Sequence, residues 1–372
     1  MLPSQIHKRI NFNFDKQKLV FDTSQELFSF AKVDEGTKEL LNSLRKNPDL
    51  KYKKILDLGC GYGVIGIFLK NKFRDSEVLC TDRDSLAVDF AKHNAGLNSL
   101  KIDAIPSLDF QEIKGKFSLI LTNFPAKLEK EGLEYFIARS SEHLEKEGTL
   151  ALVIVKELNN SIEEIIKNES ISVTFKEKNK NYSVYHLQFK EKISSNFSYS
   201  ADKEDFYIYT KKVSLSTTKA LREFDTPHII TDLILKILEN KKFEKVSIVN
   251  PNQGLIPLGV KEIFGVKEIN LISNDLLQLN MSSNALLQEG FKNFKIANEN
   301  LVSSKSDILI WSIYDEDDKT IYEKLKIYFK SFKKIVLGGR LPVLRRVLKK
   351  FEKPILEQVQ KNGYTAIFIN SF

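Results

Sequence analysis

Residues 54–66, Lys-Ile-Leu-Asp-Leu-Gly-Cys-Gly-Tyr-Gly-Val-Ile-Gly, constrain the fold of this chain more than any other stretch. A short apolar strand reaches Asp57 and then three glycines at alternate positions, Gly59, Gly61 and Gly63, and an apolar helix follows. Glycines allow a sharp turn and bring main-chain amides against a ligand without intervening side chains. The pattern predicts the first strand-to-helix turn of a nucleotide-binding α/β sheet, with a G-x-G-x-G spacing tighter than the G-x-G-x-x-G of dinucleotide-binding folds.

With Asp57 ahead of the first glycine, this stretch resembles motif I of the class I S-adenosylmethionine-dependent methyltransferases. The resemblance implies that S-adenosylmethionine is the cofactor. It assigns five residues of the loop to cofactor binding: Asp57, Gly59, Cys60, Gly61 and Gly63. The glycine pattern alone does not exclude a different ligand, as other Rossmann-like folds bind.

Acids follow the next two predicted strands. Asp82 ends the strand 77–82, about 20 residues beyond the glycines, where a carboxylate can accept hydrogen bonds from both ribose hydroxyls of a nucleoside. A plain helix cap is the alternative for Asp82, although Asp84 is the better candidate to cap the helix 85–94. Methyltransferases of this class often place an acid or amide at the adenine amino group in the loop after the next strand, and the resemblance implies Asp109 for that contact.

The segment 21–37 precedes the glycine loop and contains Phe-Ser followed by Asp-Glu-Gly-Thr. This pattern resembles the lead-in of the small-domain methyltransferases, a family that includes ribosomal RNA guanine-N2 methyltransferases. There the segment lies over the cofactor, so the resemblance implies cofactor contacts from Phe28, Asp34, Gly36 and Thr37. The residues themselves leave open a capping helix with a tight turn, ended by Asn-Pro-Asp at 47–49.

A later apolar strand runs into Asn123-Phe124-Pro125-Ala126. This stretch resembles motif IV, Asn-Pro-Pro followed by an aromatic residue, of methyltransferases that act on exocyclic amines. Phe124 replaces the first proline, and Ala126 replaces the aromatic residue that would stack on the target base. Either Phe124 takes over the stacking, or the target differs, or catalysis is weakened; an ordinary turn at a strand end is a further alternative.

The residue types fit the chemistry of an exocyclic amine. Its lone pair is delocalised into the ring, so its N–H groups must be held by two acceptors while the lone pair points at the sulfonium methyl. The side-chain carbonyl of Asn123 and the main-chain carbonyl of Phe124 are the expected acceptors, and Pro125 restricts Phe124 and thereby aims that carbonyl. Methyl transfer then needs positioning more than a strong base.

Length and composition bound the remaining possibilities. A chain of 372 residues, 42% of them apolar, predicts two domains, each with its own core. Cys60 and Cys80 form neither a disulfide framework nor a zinc site and are expected to be small core residues, and the histidines show no ligand spacing, so we expect no metal. No apolar run approaches the ~18 residues of a membrane span, and residues 1–11 lack the apolar core of a signal peptide. We therefore expect a cytoplasmic chain without membrane segments.

The net charge of +8 and the pI near 9.0 fit a polyanionic partner such as RNA. The excess is mostly lysine spread along the chain, which a biased base composition would also produce. Charge alone leaves both explanations open.

The chain repeats itself beyond a polar, serine-rich segment, 190–205, that predicts a linker. Four residues of the first half recur in the second half at one constant spacing: Thr23, Leu27, Phe30 and Thr37 as Thr217, Leu221, Phe224 and Thr231. We infer a duplicated domain. The expected fold is two tandem Rossmann-like methyltransferase domains with doubly wound, mostly parallel sheets and an antiparallel strand near the C-terminal edge of each.

The second copy loses the site positions of the first. Asp57, Gly59, Gly61 and Asn123 correspond to Ile248, Asn250, Asn252 and Ser312. A loop with asparagines in place of glycines should bind a cofactor poorly. We therefore expect residues 1–195 to form the S-adenosylmethionine-binding domain and residues 196–372 a degenerate, non-catalytic copy.

A tandem of one active and one degenerate domain resembles the ribosomal RNA guanine-N2 methyltransferases, although in that family the degenerate copy comes first. The first hypothesis is an S-adenosylmethionine-dependent methyltransferase that acts on an exocyclic amine of a base, guanine N2 in ribosomal RNA. The second is a non-catalytic RNA-binding protein that keeps the fold, and a methyltransferase for a protein or small-molecule amine lies between them.

Overall fold

A computed structural model of the chain describes residues 5–46, 52–199, 202–208, 210–299 and 306–371. The chain divides into two compact units, Met1–Ser198 and Tyr199–Phe372. The turn expected at residues 47–49 lies outside the described residues.

The first domain is a sheet with helices on its faces. Its strands are β1 (Lys8–Phe14), β2 (Gln17–Thr23), β3 (Lys54–Leu58), β4 (Glu77–Asp82), β5 (Asp103–Pro106), β6 (Phe117–Asn123), β7 (Leu144–Val155), β8 (Ile171–Lys178) and β9 (Tyr182–Phe189). Its helices are α1 (Glu35–Ser43), α2 (Val64–Lys72), α3 (Ser85–Leu97), α4 (Glu129–His143) and α5 (Asn159–Ile165). Seven strands pair in the order β5-β4-β3-β6-β7-β9-β8. Strands β3 to β7 run parallel, whereas β9 is antiparallel to both β7 and β8.

The register of these strands places the predicted site residues at one edge. Asp57 of β3 is paired with Cys80 of β4 on one side and with Leu121 of β6 on the other. Asp82 and Asn123 are the last residues of β4 and β6. Because ligands of open α/β sheets bind beyond the carboxyl ends of the strands, this edge is where a site is expected.

The second domain repeats the architecture. Its strands are β10 (Asp202–Ile208), β11 (Lys211–Thr217), β12 (Lys245–Val249), β13 (Glu268–Ile272), β14 (Phe294–Ala297), β15 (Ile308–Ser312), β16 (Lys334–Arg340), β17 (Ile355–Lys361) and β18 (Tyr364–Asn370). Its helices are α6 (Ile229–Leu238), α7 (Leu255–Phe264), α8 (Leu276–Gln288), α9 (Asp318–Ser331) and α10 (Leu341–Leu348). The order β14-β13-β12-β15-β16-β18-β17 is that of the first sheet, strand for strand. The predicted fold, two tandem doubly wound domains, is confirmed.

A two-stranded hairpin precedes each sheet, and neither hairpin was predicted from the sequence. β1 pairs with β2, and β10 pairs with β11. The predicted linker therefore ends too late, because β10 begins at Asp202 and pairs along its whole length with β11. The first hairpin carried a usable signal, since apolar and polar residues alternate along 10–14 and a second apolar run follows at 19–21. In the structure, the turn between them has positive φ at Asp15 and Lys16.

Asn94 of α3 and Asn98, the residue that caps the end of this helix, attach the first hairpin to the domain. The Asn94 amide nitrogen donates to the carbonyls of Asp22 and Tyr62 at 3.0 and 2.9 Å, and its oxygen accepts the Asp22 N–H at 2.8 Å. Asn98 exchanges two similar bonds with the backbone of Val20, at 2.9 and 2.7 Å. These side chains pair with main-chain groups of β2 as a neighbouring strand would, and Asn94 also holds the glycine loop through Tyr62.

We expect Asn94→Ala to lower the free energy of unfolding of the first domain by about 3 kcal/mol, because it leaves buried N–H and C=O groups unpaired. Urea denaturation of the full chain measures this change. Lys92→Ala, on the exposed face of the same helix, is the control and should change the free energy by less than about 0.5 kcal/mol. Equal effects of the two substitutions would contradict this role of Asn94.

Candidate active site

The glycine loop joins β3 to α2 in a left-handed backbone conformation. Gly59, Gly61 and Gly63 have φ values of 76, 52 and 92°. The N–H groups of Gly59 and Cys60 both donate to the Thr81 carbonyl, at 2.8 and 2.9 Å. A Cβ at Gly63 would lie 2.9 Å from Ile67 and 3.1 Å from the backbone of Ala91, so the start of α2 packs too closely for a side chain there. The loop is thus fixed against the end of β4.

Asp82 lies under this loop. Its Oδ2 accepts the Gly61 N–H at 2.9 Å, and its Oδ1 accepts the Asp84 N–H at 2.9 Å. A carboxylate oxygen can accept more than one hydrogen bond, which is what a partner for ribose hydroxyls requires. Asp84 caps α3 through the Leu86 N–H, as predicted.

Asp57 is buried beneath the loop. Its Oδ2 accepts the Gly66 N–H at 2.8 Å, and its Oδ1 has no hydrogen-bond partner among the described residues. The pKa of Asp57 is raised to about 7. Burial is the main cause, the hydrogen bond from Gly66 acts in the opposite direction, and the charge of the neighbouring Asp82 adds to the increase. Gly66 must be a glycine, because a Cβ would lie 2.3 Å from the Cys80 sulfur and 3.2 Å from the carboxylate of Asp57. Asp57 therefore holds the first turn of α2 against β3.

Asp109 lies in the loop after β5, and the two cysteines lie in the core. Asp109 follows β5 with a positive φ of 51°, and its carbonyl accepts the Ser107 hydroxyl at 2.8 Å. Its carboxyl group lies near the Tyr135 phenol, whose pKa is raised by burial and then by this charge. Cys60 and Cys80 are both buried, as expected for small core residues.

The amide of Asn123 is bound by the segment that precedes the glycine loop. Its Nδ2 donates to Asp34 Oδ2 at 2.9 Å and lies 3.3 Å from Thr37 Oγ1. The same Asp34 oxygen caps α1 by accepting the Thr37 N–H at 3.2 Å. The lead-in segment and the end of β6, far apart in sequence, therefore form one polar cluster.

The aromatic residues near the site differ in exposure. Phe28 is 74% exposed, and the next residue, Ser29, accepts a long hydrogen bond of 3.4 Å from the Tyr62 hydroxyl in the glycine loop. Phe124 is 3% exposed, and its ring packs edge-on against Phe136 with the centroids 5.2 Å apart. In this conformation the Phe124 ring is not available to stack on a base. Pro125 follows with a φ of −72° and begins a short turn.

The second domain keeps the loop backbone with different side chains. Asn250, Asn252 and Gly254 have φ values of 57, 54 and 105°, close to those of the three glycines of the first domain. Asparagine tolerates this conformation better than other residues with a Cβ. The duplicated loop therefore preserves its turn, while two of its positions now carry amide side chains.

Side chains of the second domain fill the space that corresponds to the site. Glu223, 7% exposed, accepts hydrogen bonds from Asn252 Nδ2 at 3.2 Å, from the His228 N–H at 2.9 Å and from the Thr231 hydroxyl. Burial raises the pKa of Glu223. Tyr314 is partly buried beside it with its phenol oxygen inside, and burial followed by the Glu223 charge raises the pKa of that phenol. This self-contained cluster was not visible in the sequence.

A separate cavity of the first domain lies at the opposite end of the sheet. Ser118, near the start of β6, and His186 line it, whereas Asn123 ends β6. His186 bonds to Ser43 at 2.8 Å, and burial lowers its pKa to about 4. This cavity is no part of the site at the carboxyl edge.

Neither a metal centre nor a membrane span is found in the part of the chain that the structure describes. No group of three or more His, Cys, Asp and Glu side chains there could hold a metal ion. Among the same residues, no helix is long and apolar enough to cross a bilayer.

A glycine loop, an acid under it and a polar strand end at one edge of a doubly wound sheet define the Rossmann-like class of nucleoside-binding domains. Residues 18–186 match the family model described as methyltransferase small domain. An uncharacterized protein of Bacillus subtilis, YbxB, is 32% identical over 152 residues, which cover 39% of this chain and 73% of that protein. The chain belongs to the methyltransferase small-domain family through its N-terminal domain.

Two further comparisons give relatives of named function. The ribosomal RNA small subunit methyltransferase C of Psychromonas ingrahamii is 32% identical over 160 residues, 42% of this chain, so the match spans less than half (45%) of that protein. A Thermus thermophilus 16S rRNA N2 methyltransferase, solved with AdoMet and guanosine, has a TM-score of 0.72 at 14% identity and covers 99% of both chains. That likeness shows a shared two-domain fold.

The pKa of Asp57 predicts a pH dependence of stability. Between about pH 4 and pH 7 the folded state keeps a proton on Asp57 that the unfolded state, with an ordinary carboxyl pKa of about 3.9, has lost. Because the folded state then binds more protons, stability falls as the pH rises through this window. Asp57→Asn removes this titration and keeps an acceptor for the Gly66 N–H.

From pH 5 to pH 7 we expect the native chain to lose about 2 kcal/mol more unfolding free energy than Asp57→Asn. Urea denaturation at the two pH values measures the difference. Glu35→Gln, at an exposed ion pair with Lys38, should follow the native chain. Parallel pH curves for Asp57→Asn and the native chain would contradict a buried, protonated Asp57.

Proposed function

We propose that this chain is an S-adenosylmethionine-dependent methyltransferase that methylates an exocyclic amine of an RNA base, guanine N2 in ribosomal RNA. The observation that carries the proposal is the meeting of the glycine loop, Asp82 and the Asn123 amide at one edge of the first sheet. These groups supply a nucleoside site and, beside it, an acceptor for an amine.

The residues fit a cationic cofactor. Asp57 and Asp82 place two carboxyl groups close enough for one to raise the pKa of the other, and Asp57 Oδ1 is buried without a hydrogen-bond partner among the described residues. A positively charged ligand on the loop would favour the ionised form of Asp57 beside Asp82. In the proposal, Gly59 to Gly63 contact the cofactor through the main chain, Asp82 binds its ribose and Asp109 its adenine amino group. S-adenosylmethionine, when bound, supplies an electrophilic methyl group on a sulfonium.

Phe28 and Thr37 are further cofactor contacts in the proposal. Phe28 is exposed on the segment whose Ser29 carbonyl touches Tyr62 of the loop. Thr37 lies at the Asn123 amide, where the transferred methyl group and the acceptor would meet.

The Asn123 oxygen and the Phe124 carbonyl act as acceptors for the amine in this proposal. They would bind its N–H groups and orient the lone pair. After transfer the amine nitrogen would be cationic and therefore acidic, and it would lose its proton to solvent water. No strong base is required for that step. Pro125 sets the conformation of Phe124.

Ribosomal RNA as the partner is supported by the names of the relatives and by the charge of the chain. Relatives of named function are small-subunit ribosomal RNA methyltransferases. The net charge of +8 favours binding to a polyanion. The second domain, whose own side chains occupy its equivalent site, is proposed to be a non-catalytic partner that supports the first domain or binds the RNA.

The test is methyl transfer to unmodified, in vitro transcribed small-subunit ribosomal RNA. With labelled S-adenosylmethionine, the full chain should produce N2-methylguanosine, identified by mass spectrometry of the digested RNA. Asn123→Ala should lower the rate constant by about 100-fold or more, because an acceptor used at the reacting amine is lost. Its affinity for the cofactor should stay within about twofold of the parent.

Two results would contradict the proposal. If Asn123→Ala methylates as fast as the parent, the acceptor role is wrong. If the parent binds the RNA and transfers no methyl group, the chain is a non-catalytic RNA-binding protein. Methylation of a protein or small-molecule amine instead of RNA would overturn the substrate assignment and keep the reaction class.

A further inference from the structure

The orientation of the Asn123 amide follows from the chemistry of the group that it faces. A carboxylate oxygen only accepts hydrogen bonds, so the part of Asn123 that faces Asp34 Oδ2 at 2.9 Å must be the NH2 group. If the amide were turned over, its oxygen would face the carboxylate, and two acceptors would repel each other. Asp34 therefore sets which end of the amide points away.

Thr37 takes the other amide hydrogen. Its Oγ1 lies 3.3 Å from Asn123 Nδ2 and is buried, with 8% of the residue exposed. Asp34 and Thr37 are fixed relative to each other by the helix cap, because Asp34 also accepts the Thr37 N–H. Both hydrogens of the Asn123 amide are thus used within the domain, and its oxygen is left to meet a substrate.

We propose that Asp34 and Thr37 are positioning residues that fix the Asn123 amide with its oxygen toward the substrate. An oxygen in that place binds a group that carries N–H and repels a carbonyl oxygen or an unprotonated ring nitrogen. The pair therefore makes the site selective for exocyclic amines. This inference rests on the proposed function for its substrate, whereas the orientation itself can be measured without any reaction.

The second domain provides an internal comparison. There Thr231 corresponds to Thr37, His228 to Asp34 and Ser312 to Asn123. His228 caps α6 with its ring, and the Thr231 hydroxyl bonds to Glu223. The copy that lacks the asparagine also lacks the carboxylate that would orient it, as expected if the two act together.

The first test separates positioning from folding. Asp34→Ser keeps a good helix cap, yet its hydroxyl can donate as well as accept and so does not fix which end of the Asn123 amide faces it. We expect its kcat to fall at least tenfold while KM and cofactor affinity stay within about twofold. Glu35→Gln, in the same turn of α1 and exposed, is the control and should keep the parent kcat. A parent-like kcat for Asp34→Ser would overturn the proposal.

The second test exchanges the two partners. Asn123→Asp alone puts two carboxyl groups in contact, so its methylation rate should fall as the pH rises and both ionise. In Asp34→Asn/Asn123→Asp, the new amide donates to the new carboxylate, which again presents an oxygen to the amine. At pH 9 the double variant should be at least tenfold faster than Asn123→Asp. Identical pH profiles for the two variants would overturn the proposal.

A third measurement does not depend on activity. In a chain labelled with 15N-asparagine, the Nδ2 hydrogens of Asn123, identified by their loss in Asn123→Asp, should exchange with solvent at least tenfold faster in Asp34→Ala than in the parent. Equal exchange rates would overturn the proposed orientation. If exchange responds as expected and the parent methylates no RNA, the orientation is supported and the proposed function fails.

Discussion

The left-handed backbone after the first core strand is the constraint on which both domains depend. In the first domain glycines adopt it, and the space around Gly59 and Gly61 stays open beside Asp82. In the second domain Asn250 and Asn252 adopt nearly the same conformation, and the Asn252 amide bonds to Glu223. One backbone geometry thus supports an open loop in one copy and a filled one in the other. The difference lies in the side chains and not in the fold.

The open loop is held by contacts that converge from distant parts of the first domain. Asp57 secures α2 through Gly66, and Asn94 bonds both to the hairpin and to the carbonyl of Tyr62. The Tyr62 hydroxyl in turn reaches the segment before α1. That segment ends at the cap that orients Asn123. The first hairpin, the glycine loop and Asn123 are therefore linked through these contacts. We expect a substitution that disrupts one of them to alter the positions of the others.

The sequence predicted the parts of the site that are local. Alternate glycines after an apolar strand, and acids where the next strands end, each follow from a few neighbouring residues, and the register of a parallel sheet then brings them to one edge. The duplication was also readable, because matched residues recur in order. The two hairpins were missed, although the apolar alternation of the first was present in the sequence.

The rest depends on contacts that have no local signal. Asp34 and Asn123 are far apart along the chain, and nothing near either residue indicates which atoms meet. The burial of Phe124 against Phe136 is equally non-local, and it removes one explanation for the absent motif IV aromatic residue.

The most direct test of a single cofactor site is calorimetric titration of the full chain with S-adenosylmethionine. We predict one site per chain. The affinity should be at least tenfold weaker in Asp82→Ala, because hydrogen bonds to a charged acceptor are lost. The affinity should be unchanged in Glu77→Ala, which lies at the exposed start of the same strand. Two sites per chain, or an unchanged affinity in Asp82→Ala, would contradict a single cofactor site under the glycine loop of the first domain.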